Sequence, residues 1–308
     1  MKKYLVTGGA GFIGSHLVDK LIEKNNKVVI IDNLSAGKKE NLNPKADFYK
    51  IDIQDPGISK IFKKVKPDIV FHYAAQIDVR KSVEDPVESA KINILGSLNV
   101  LENCRKFGVK KIVFASSGGA VYGDTKNIPT PESYNPHPVS PYGTEKLVVE
   151  HYLEFYKKEY GLDHLILRFA NVYGPRQNSK GEAGVVAVFC DNMSAGKQPV
   201  INGDGKQTRD FVFVDDVIRA NILGIEKNAS GVFNIGTGEE TEINAIFRKF
   251  KKMFGSKSKE IHGPAKMGEQ KRSCLDFKKA KAVLGWHPEY DLDKGLEKTE
   301  QWFEKNGK

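Results

Sequence analysis

Short apolar runs recur along the first half of the chain, each closed by Gly, Asp, Asn or Pro and followed by a stretch with helical spacing. Tyr4-Leu5-Val6, Val28 to Ile31, Phe48 to Ile51, Ile69-Val70-Phe71, Ile112-Val113-Phe114 and Leu165-Ile166-Leu167 read as strands. Between them lie helical stretches, including one over about 87–107 and one over about 142–160. Strand and helix in alternation predict an α/β protein, with a doubly wound parallel sheet covered by helices on both faces.

After Tyr173-Gly174-Pro175 the rhythm breaks, and Gly181, Gly184, Gly196, Gly203 and Gly205 punctuate shorter elements. Val212-Phe213-Val214 and Val232 to Ile235 nevertheless read as strands of the main sheet. The expected division is therefore 1–172 plus about 211–237 for the main domain. A smaller, interrupted C-terminal domain takes 173–210 plus about 238–308.

With 40% hydrophobic and 28% charged residues the composition is that of a globular protein, which excludes a disordered chain. A net charge of +9 would suit a polyanion, but the Lys and Arg residues alternate with acids, as in Lys38-Lys39-Glu40 and Lys157-Lys158-Glu159. No nucleic-acid partner is expected; a phosphate-bearing substrate would gain from the same excess. Three cysteines without close pairing predict neither a disulfide framework nor a metal site. The first apolar run is a few residues long and leads into a glycine loop, so no signal peptide or membrane span is expected there, and a cytoplasmic protein is.

That loop is the first candidate site. Gly8, Gly11 and Gly14 are spaced G-x-x-G-x-x-G directly after a strand and at the start of a helical pattern. Gly8 permits a tight turn, Gly11 lets backbone amides approach a pyrophosphate, and Gly14 lets the helix pack close to the sheet. About 20 residues on, the second strand delivers Asp32, whose carboxylate suits ribose hydroxyls and repels a 2′-phosphate, so NAD is expected rather than NADP. Asp52 and Ile53 follow the third strand and would lie near the adenine, Asp52 being equally suited to forming a turn.

Tyr142 and Lys146 stand four residues apart at the start of a helical pattern, hence on one face. A free phenol titrates near pH 10 and is a poor base at neutrality; a nearby ammonium and a positively charged nicotinamide would lower that value. Upstream, the fifth strand runs into Ser116 and Ser117, placing hydroxyls where open α/β sheets bind ligands.

The glycine loop, the Ser-Ser segment, Tyr142-x-x-x-Lys146 and Arg168-Phe169-Ala170-Asn171-Val172-Tyr173-Gly174-Pro175 occur in one order. In these features the chain resembles the extended short-chain dehydrogenase/reductase family, and within it the enzymes that epimerise UDP-sugars at C4. The resemblance implies a Rossmann-type domain holding NAD and a smaller domain holding the UDP-sugar. It implies that Tyr142 is the base, Lys146 its ribose-binding partner, and Ser117 the hydroxyl that bridges to the sugar O4, with Ser116 as the alternative. Further cofactor contacts are implied for Phe12, Ile13, Asn33, Ala74, Ala75, Gln76, Asn93, Ser116 and Tyr142, although Asn93 equally suits a buried structural role.

On the substrate side the resemblance implies Asn171 and Arg209 at the diphosphate, unless Arg209 pairs with Asp210 or Asp215. Lys266 falls where relatives often carry another phosphate-binding Arg, and Val186, Val200 and Asn202 are further implied contacts. Ser273 falls where some epimerases carry a bulky Tyr beside the sugar 2-substituent. A small residue there leaves room for N-acetylhexosamines, unless it lies in a surface loop. A homodimer through the helices near 87–107 and 142–160 is also implied.

The expected reaction is interconversion of UDP-galactose and UDP-glucose through a 4-keto sugar, with UDP-uronate epimerisation a variant of it. A 4,6-dehydratase is the rival within the family, but those relatives carry Asp-Glu after the strand-five hydroxyl where this chain has Gly118-Gly119. A catalytically silent NAD-binding sensor or scaffold is the rival of another class.

Overall fold

The computed structural model describes residues 2–179, 184–265 and 270–306. Seven strands build the main sheet: β1 (Lys3–Thr7), β2 (Lys27–Asp32), β3 (Asp47–Lys50), β4 (Ile69–His72), β5 (Lys111–Ser117), β6 (Asp163–Phe169) and β7 (Gly231–Ile235). Their order is β7-β6-β5-β4-β1-β2-β3 and every pairing is parallel. The order in which strands are added reverses at β1, which pairs with both β2 and β4; in open α/β sheets ligands bind beyond the carboxyl ends of the strands at such a point.

Successive strand residues face opposite sides, so each strand feeds two cores. Tyr4, Val6, Val28 and Ile30 pack with Leu17 and Leu21 of α1 (Phe12–Glu23). Leu5, Val29 and Ile31 face the other way, against Phe62 of α2 (Ile58–Val65), Leu101 of α3 (Gly96–Lys106) and Leu153 of α4 (Pro141–Tyr160). The bounds of α4 follow local chemistry. Ser140 accepts a hydrogen bond from the Gly143 N–H at 3.1 Å, Pro141 opens the first turn, and Gly161 closes the helix at φ +70°.

The long helix expected over 87–107 is built from Pro86–Ala90, a five-residue π turn over Lys91–Leu95, and α3. One expected strand is corrected. Phe211–Phe213 does not join the main sheet but pairs in parallel with Asn171–Tyr173, and Val214 opens the helix α5 (Val214–Glu226). The place beside β6 is already taken by β7. The remaining strand pairs are short: Thr208–Arg209 lies between Thr241–Glu242 and Arg272–Ser273, and Ile201–Asn202 pairs with His262–Gly263.

Candidate active site

The glycine loop leaves β1 with Gly8 at φ +72°, its N–H bonded to Ile31 O at 2.8 Å. A Cβ on Gly14 would stand 2.2 Å from Gly8 O, and one on Gly8 would stand 2.7 Å from Ala74 N, so neither position has room for a side chain. No side chain caps α1 and no acid lies in its first turn, which leaves the N–H groups of Phe12 and Ile13 suited to an anion. Asp32, buried at the end of β2, accepts from Ala10 N (3.0 Å) and Leu34 N (2.8 Å). Each of its oxygens keeps a second lone pair for a ribose hydroxyl. These features fit a dinucleotide.

Asn33 donates to Asp52 Oδ2 at 2.6 Å, while Asp52 Oδ1 accepts from Gln54 N, so the pair ties the ends of β2 and β3 together. Ile53, buried, packs against Gly96. Asn93 sits in the π turn with its amide engaged by protein. Its Oδ1 accepts from Gln76 N at 2.8 Å, and its Nδ2 donates to Gln76 O at 2.9 Å and Glu145 Oε2 at 2.6 Å. It therefore fixes the Ala74-Ala75-Gln76 segment from behind. Beneath that segment Thr7 Oγ1 lies 2.7 Å from His72 Nδ1 and accepts from Tyr73 N and Ala74 N. His72 Nε2 meets Ser97 Oγ at 2.8 Å, and Ser97 donates to Asn93 O. Because Ser97 donates its proton onward, His72 Nε2 is the donor to Ser97, which in the neutral ring leaves Nδ1 to accept from Thr7 Oγ1. Burial and the Lys146 charge push the imidazole down to about 3.

At the end of β5 the two serines separate. Ser116 Oγ donates to Glu150 Oε1 at 2.5 Å, and Glu150 also receives Arg168 at 2.5–3.2 Å, in a buried cluster. Ser117 instead faces the Tyr142 phenol, near enough to pull its pKa down. One turn along α4, the Lys146 Nζ donates to Ala115 O at 2.9 Å and lies 5.8 Å from the centre of the Tyr142 ring. Burial pushes Lys146 down to about 8 against the pull of Glu145 and Glu150. The protein's own groups act on Tyr142 in the opposite sense to the lowering expected with a nicotinamide beside it: burial, then the Glu145 charge, raise its pKa well above the ordinary phenol range, and Ser117 offsets only part. The protein alone holds a phenol, not a phenolate.

Beyond the serines, a Cβ built on Gly119 would lie 3.8 Å from Asn171 Oδ1, 3.8 Å from Ser273 Oγ and 3.9 Å from Ser117 Oγ, so three separate elements converge there. Ser273 is 8% exposed and is no surface-loop residue. It is the register partner of Arg209, whose Nη1 donates to Thr208 O. Asp210 fixes this arrangement from below. Its buried carboxylate accepts from Thr237 N and Oγ1, Gly238 N and Leu275 N, while its backbone bonds Asn171 and Ser273. Asn202 pairs with Gly263, and Val200 is 48% exposed beside it. Val186 lies inside the core, in the helix α6 of Val185–Ser194. Lys266 lies outside the described residues.

Sequence reasoning passed over His72, Glu145 and Glu150, and weighed Asp210 only as an ion-pair partner of Arg209. The signal available for all four was a charged or titratable residue within or beside an apolar strand or helix face, where burial requires a partner.

A parallel sheet with a glycine loop and acid at its switch point, and Ser117, Tyr142 and Lys146 at the end of β5, define a Rossmann-type dinucleotide enzyme. Residues 4–236 match the NAD dependent epimerase/dehydratase family, and the chain belongs to that family. It is 49% identical over 305 residues to a putative UDP-glucose 4-epimerase of Methanocaldococcus jannaschii, covering 99% of each. It is 51% identical, with TM-score 0.98, to a structure of UDP-glucose 4-epimerase from Thermotoga maritima with UDP-glucose, covering 99% of this chain and 100% of that one. It is 40% identical, with TM-score 0.93 and 99% of both chains covered, to the UDP-N-acetylglucosamine 4-epimerase of Methanobrevibacter ruminantium in complex with UDP-N-acetylmuramic acid.

Proposed function

We propose that the protein interconverts UDP-galactose and UDP-glucose by NAD-dependent epimerisation at C4. The observation that carries this reading is the placement of Ser117 against the Tyr142 phenol, with Lys146 on one side and the Asn171 and Ser273 side chains converging with Ser117 at Gly119 on the other. The glycine loop, Asp32 and the 74–76 segment hold the dinucleotide. Bound NAD would supply a reversible acceptor for the hydrogen of the sugar carbon and a positive ring charge that, with the Lys146 ammonium, would favour the phenolate form in which Tyr142 can accept a proton.

The protein's own work is proton transfer and placement. Ser117 presents the sugar 4-hydroxyl to Tyr142, which accepts its proton as the 4-keto sugar forms and returns a proton when the ketone is reduced from its other face. Tyr142 and Lys146 need not move between the two half-reactions, since only the sugar turns. Asn171 and Arg209 grip the diphosphate, so that binding energy remote from the sugar keeps the turning intermediate in place. Within this reading 173–210 and 238–308 serve the nucleotide sugar.

Gly118 weighs against dehydration, because a Cβ there would meet Leu275 Cδ1 at 2.5 Å and an acidic side chain would have to displace that buried leucine. The small Ser273 favours acceptance of UDP-N-acetylhexosamines as well, in line with what the M. ruminantium relative is named for. A homodimer is supported by exposed apolar side chains on neighbouring helices, Val83, Val87 and Leu95 together with Tyr152 and Phe155 of α4. No described helix is long and apolar enough to cross a membrane. The test is to incubate the purified protein with UDP-galactose without added cofactor and follow UDP-glucose. Product without added NAD supports a retained cofactor, product only on adding NAD supports a loosely held one, and no product under either condition sinks the reading.

A further inference from the structure

Glu145 stands between Tyr142 and Lys146 in the sequence but has no part in the reaction derived above. It is 3% exposed. Its Oε2 accepts from Asn93 Nδ2 at 2.6 Å and from Ser89 Oγ at 2.9 Å. Its Oε1 is buried without a hydrogen-bond partner among the described residues. A carboxylate withdrawn from water with one bare oxygen is costly to retain, and replacing it by an apolar residue would ordinarily be cheaper.

The surroundings show what such a charge can act on. On α4 the titratable neighbours are Tyr142, Lys146 and Glu150, and Glu150 is matched by Arg168 of β6 at 2.5 Å. β4 contributes His72, which is neutral. The segments packed on α4 from residues 79–95 contribute Ser82, bonded to Tyr142 N, together with Ser89 and Asn93. With Glu150 engaged by Arg168, Glu145 is the carboxylate left to balance Lys146. Through Asn93 the same side chain reaches both backbone groups of Gln76, in the segment that borders the dinucleotide.

We propose that Glu145 is a positioning residue with two linked tasks: its buried charge keeps Lys146 an ammonium, and its bond to Asn93 locks the helix bearing Tyr142 and Lys146 to the 74–76 segment. The π turn at Lys91–Leu95 serves this lock by placing Asn93 between the two. The inference rests on the epimerase reading only where Tyr142 is taken as the base; its binding arm does not need turnover.

The experiment compares the full-length wild type with Glu145→Gln and Glu145→Asp. NAD binding to the protein without sugar is followed by intrinsic fluorescence across pH, and UDP-galactose turnover is followed in parallel. Wild-type NAD affinity is expected to fall as pH rises through about 8, where Lys146 loses its proton. In Glu145→Gln that fall, and the alkaline limb of turnover, move down by on the order of one pH unit. Glu145→Asp keeps the limb in place but weakens NAD binding by roughly tenfold, because the shorter side chain no longer reaches Asn93. An unshifted limb in Glu145→Gln overturns the counter-charge, and undiminished NAD affinity in Glu145→Asp overturns the lock.

A thermal-melting cycle with Lys146→Met covers the case of an unstable variant. Glu145→Gln is expected to lower the melting temperature less in the Lys146→Met background than in the wild type, and equal losses in both overturn the pairing. A wild type that binds NAD with the expected pH dependence but leaves UDP-galactose unchanged would fail the epimerase reading while sparing this one.

Discussion

Ser116 and Glu150 share a 2.5 Å hydrogen bond, which removes one of two adjacent serines from the site and leaves Ser117 to face Tyr142. The two positions should therefore respond differently to the same substitution. Ser117→Ala is expected to lower kcat by roughly 10–100-fold with little change in stability, since one bond of about 1–3 kcal/mol to the reacting hydroxyl is lost. Ser116→Ala should spare the chemistry and lower stability by about 1 kcal/mol. Parallel kinetics and denaturant melts decide, and equal kinetic losses would contradict the separation.

Tyr142→Phe removes the group that accepts the proton while keeping the ring in place. Loss of turnover by about 10²–10⁴-fold is expected, with NAD affinity retained. Unchanged turnover would show that a different group is the base.

Gly14→Ala tests the cofactor cradle. Its Cβ would stand 2.2 Å from Gly8 O, a backbone atom that can give way only by deforming the loop. Severe loss of NAD binding is expected, and near-native affinity measured by calorimetry would mean that the cradle is not where NAD sits.

Ser273→Tyr should separate the substrates. A bulky ring beside Gly119 and Ser117 is expected to suppress turnover of UDP-N-acetylhexosamines by at least about tenfold while leaving UDP-galactose active, a difference that a steric clash of about 1.4 kcal/mol suffices to produce. Equal effects on both substrates would remove Ser273 from the sugar pocket.

Stability should depend on pH through His72. Its folded pKa, about 3, lies below the ordinary 6.5, so the unfolded chain binds the proton first as pH falls. The contribution is complete above about pH 6.5 and is lost toward pH 3, by up to ~1.4 kcal/mol per pH unit. His72→Gln should flatten the melting temperature between pH 7 and 4 relative to wild type; carboxylate contributions common to both cancel in that comparison. Parallel curves for the two proteins would contradict a neutral buried imidazole.

Much of this was legible in the sequence because the information was local. The glycine spacing, Asp32 at a strand end and the Tyr142-x-x-x-Lys146 helix start each need only a few neighbouring residues and elementary geometry. What escaped depends on contacts across the sheet. The roles of Ser116 and Ser117 were undecidable because the residue that separates them, Glu150, lies on α4 and meets Arg168, the β5–β6 register partner of Ser116. Val212 to Val214 misled for a similar reason: apolar periodicity marks a strand but does not say that β7 has already filled the place beside β6. The protein's own effect on the Tyr142 phenol escaped because nothing in the local sequence says that the helix turns Glu145 inward.

One core cluster runs without interruption from α1 and β1 through Phe213 and Val217 to Trp286, Leu296 and Phe303 near the C-terminus. Trp286 Nε1 donates to Asp216 O, and the Asp216 carboxylate accepts from Glu289 N and Tyr290 N, so the C-terminal segment is also stitched to α5 by polar bonds. A hinge opening across that shared interior would have to tear it apart. On the reading proposed above, a nucleotide sugar then enters and leaves past loops at the rim while the packed interior stays closed.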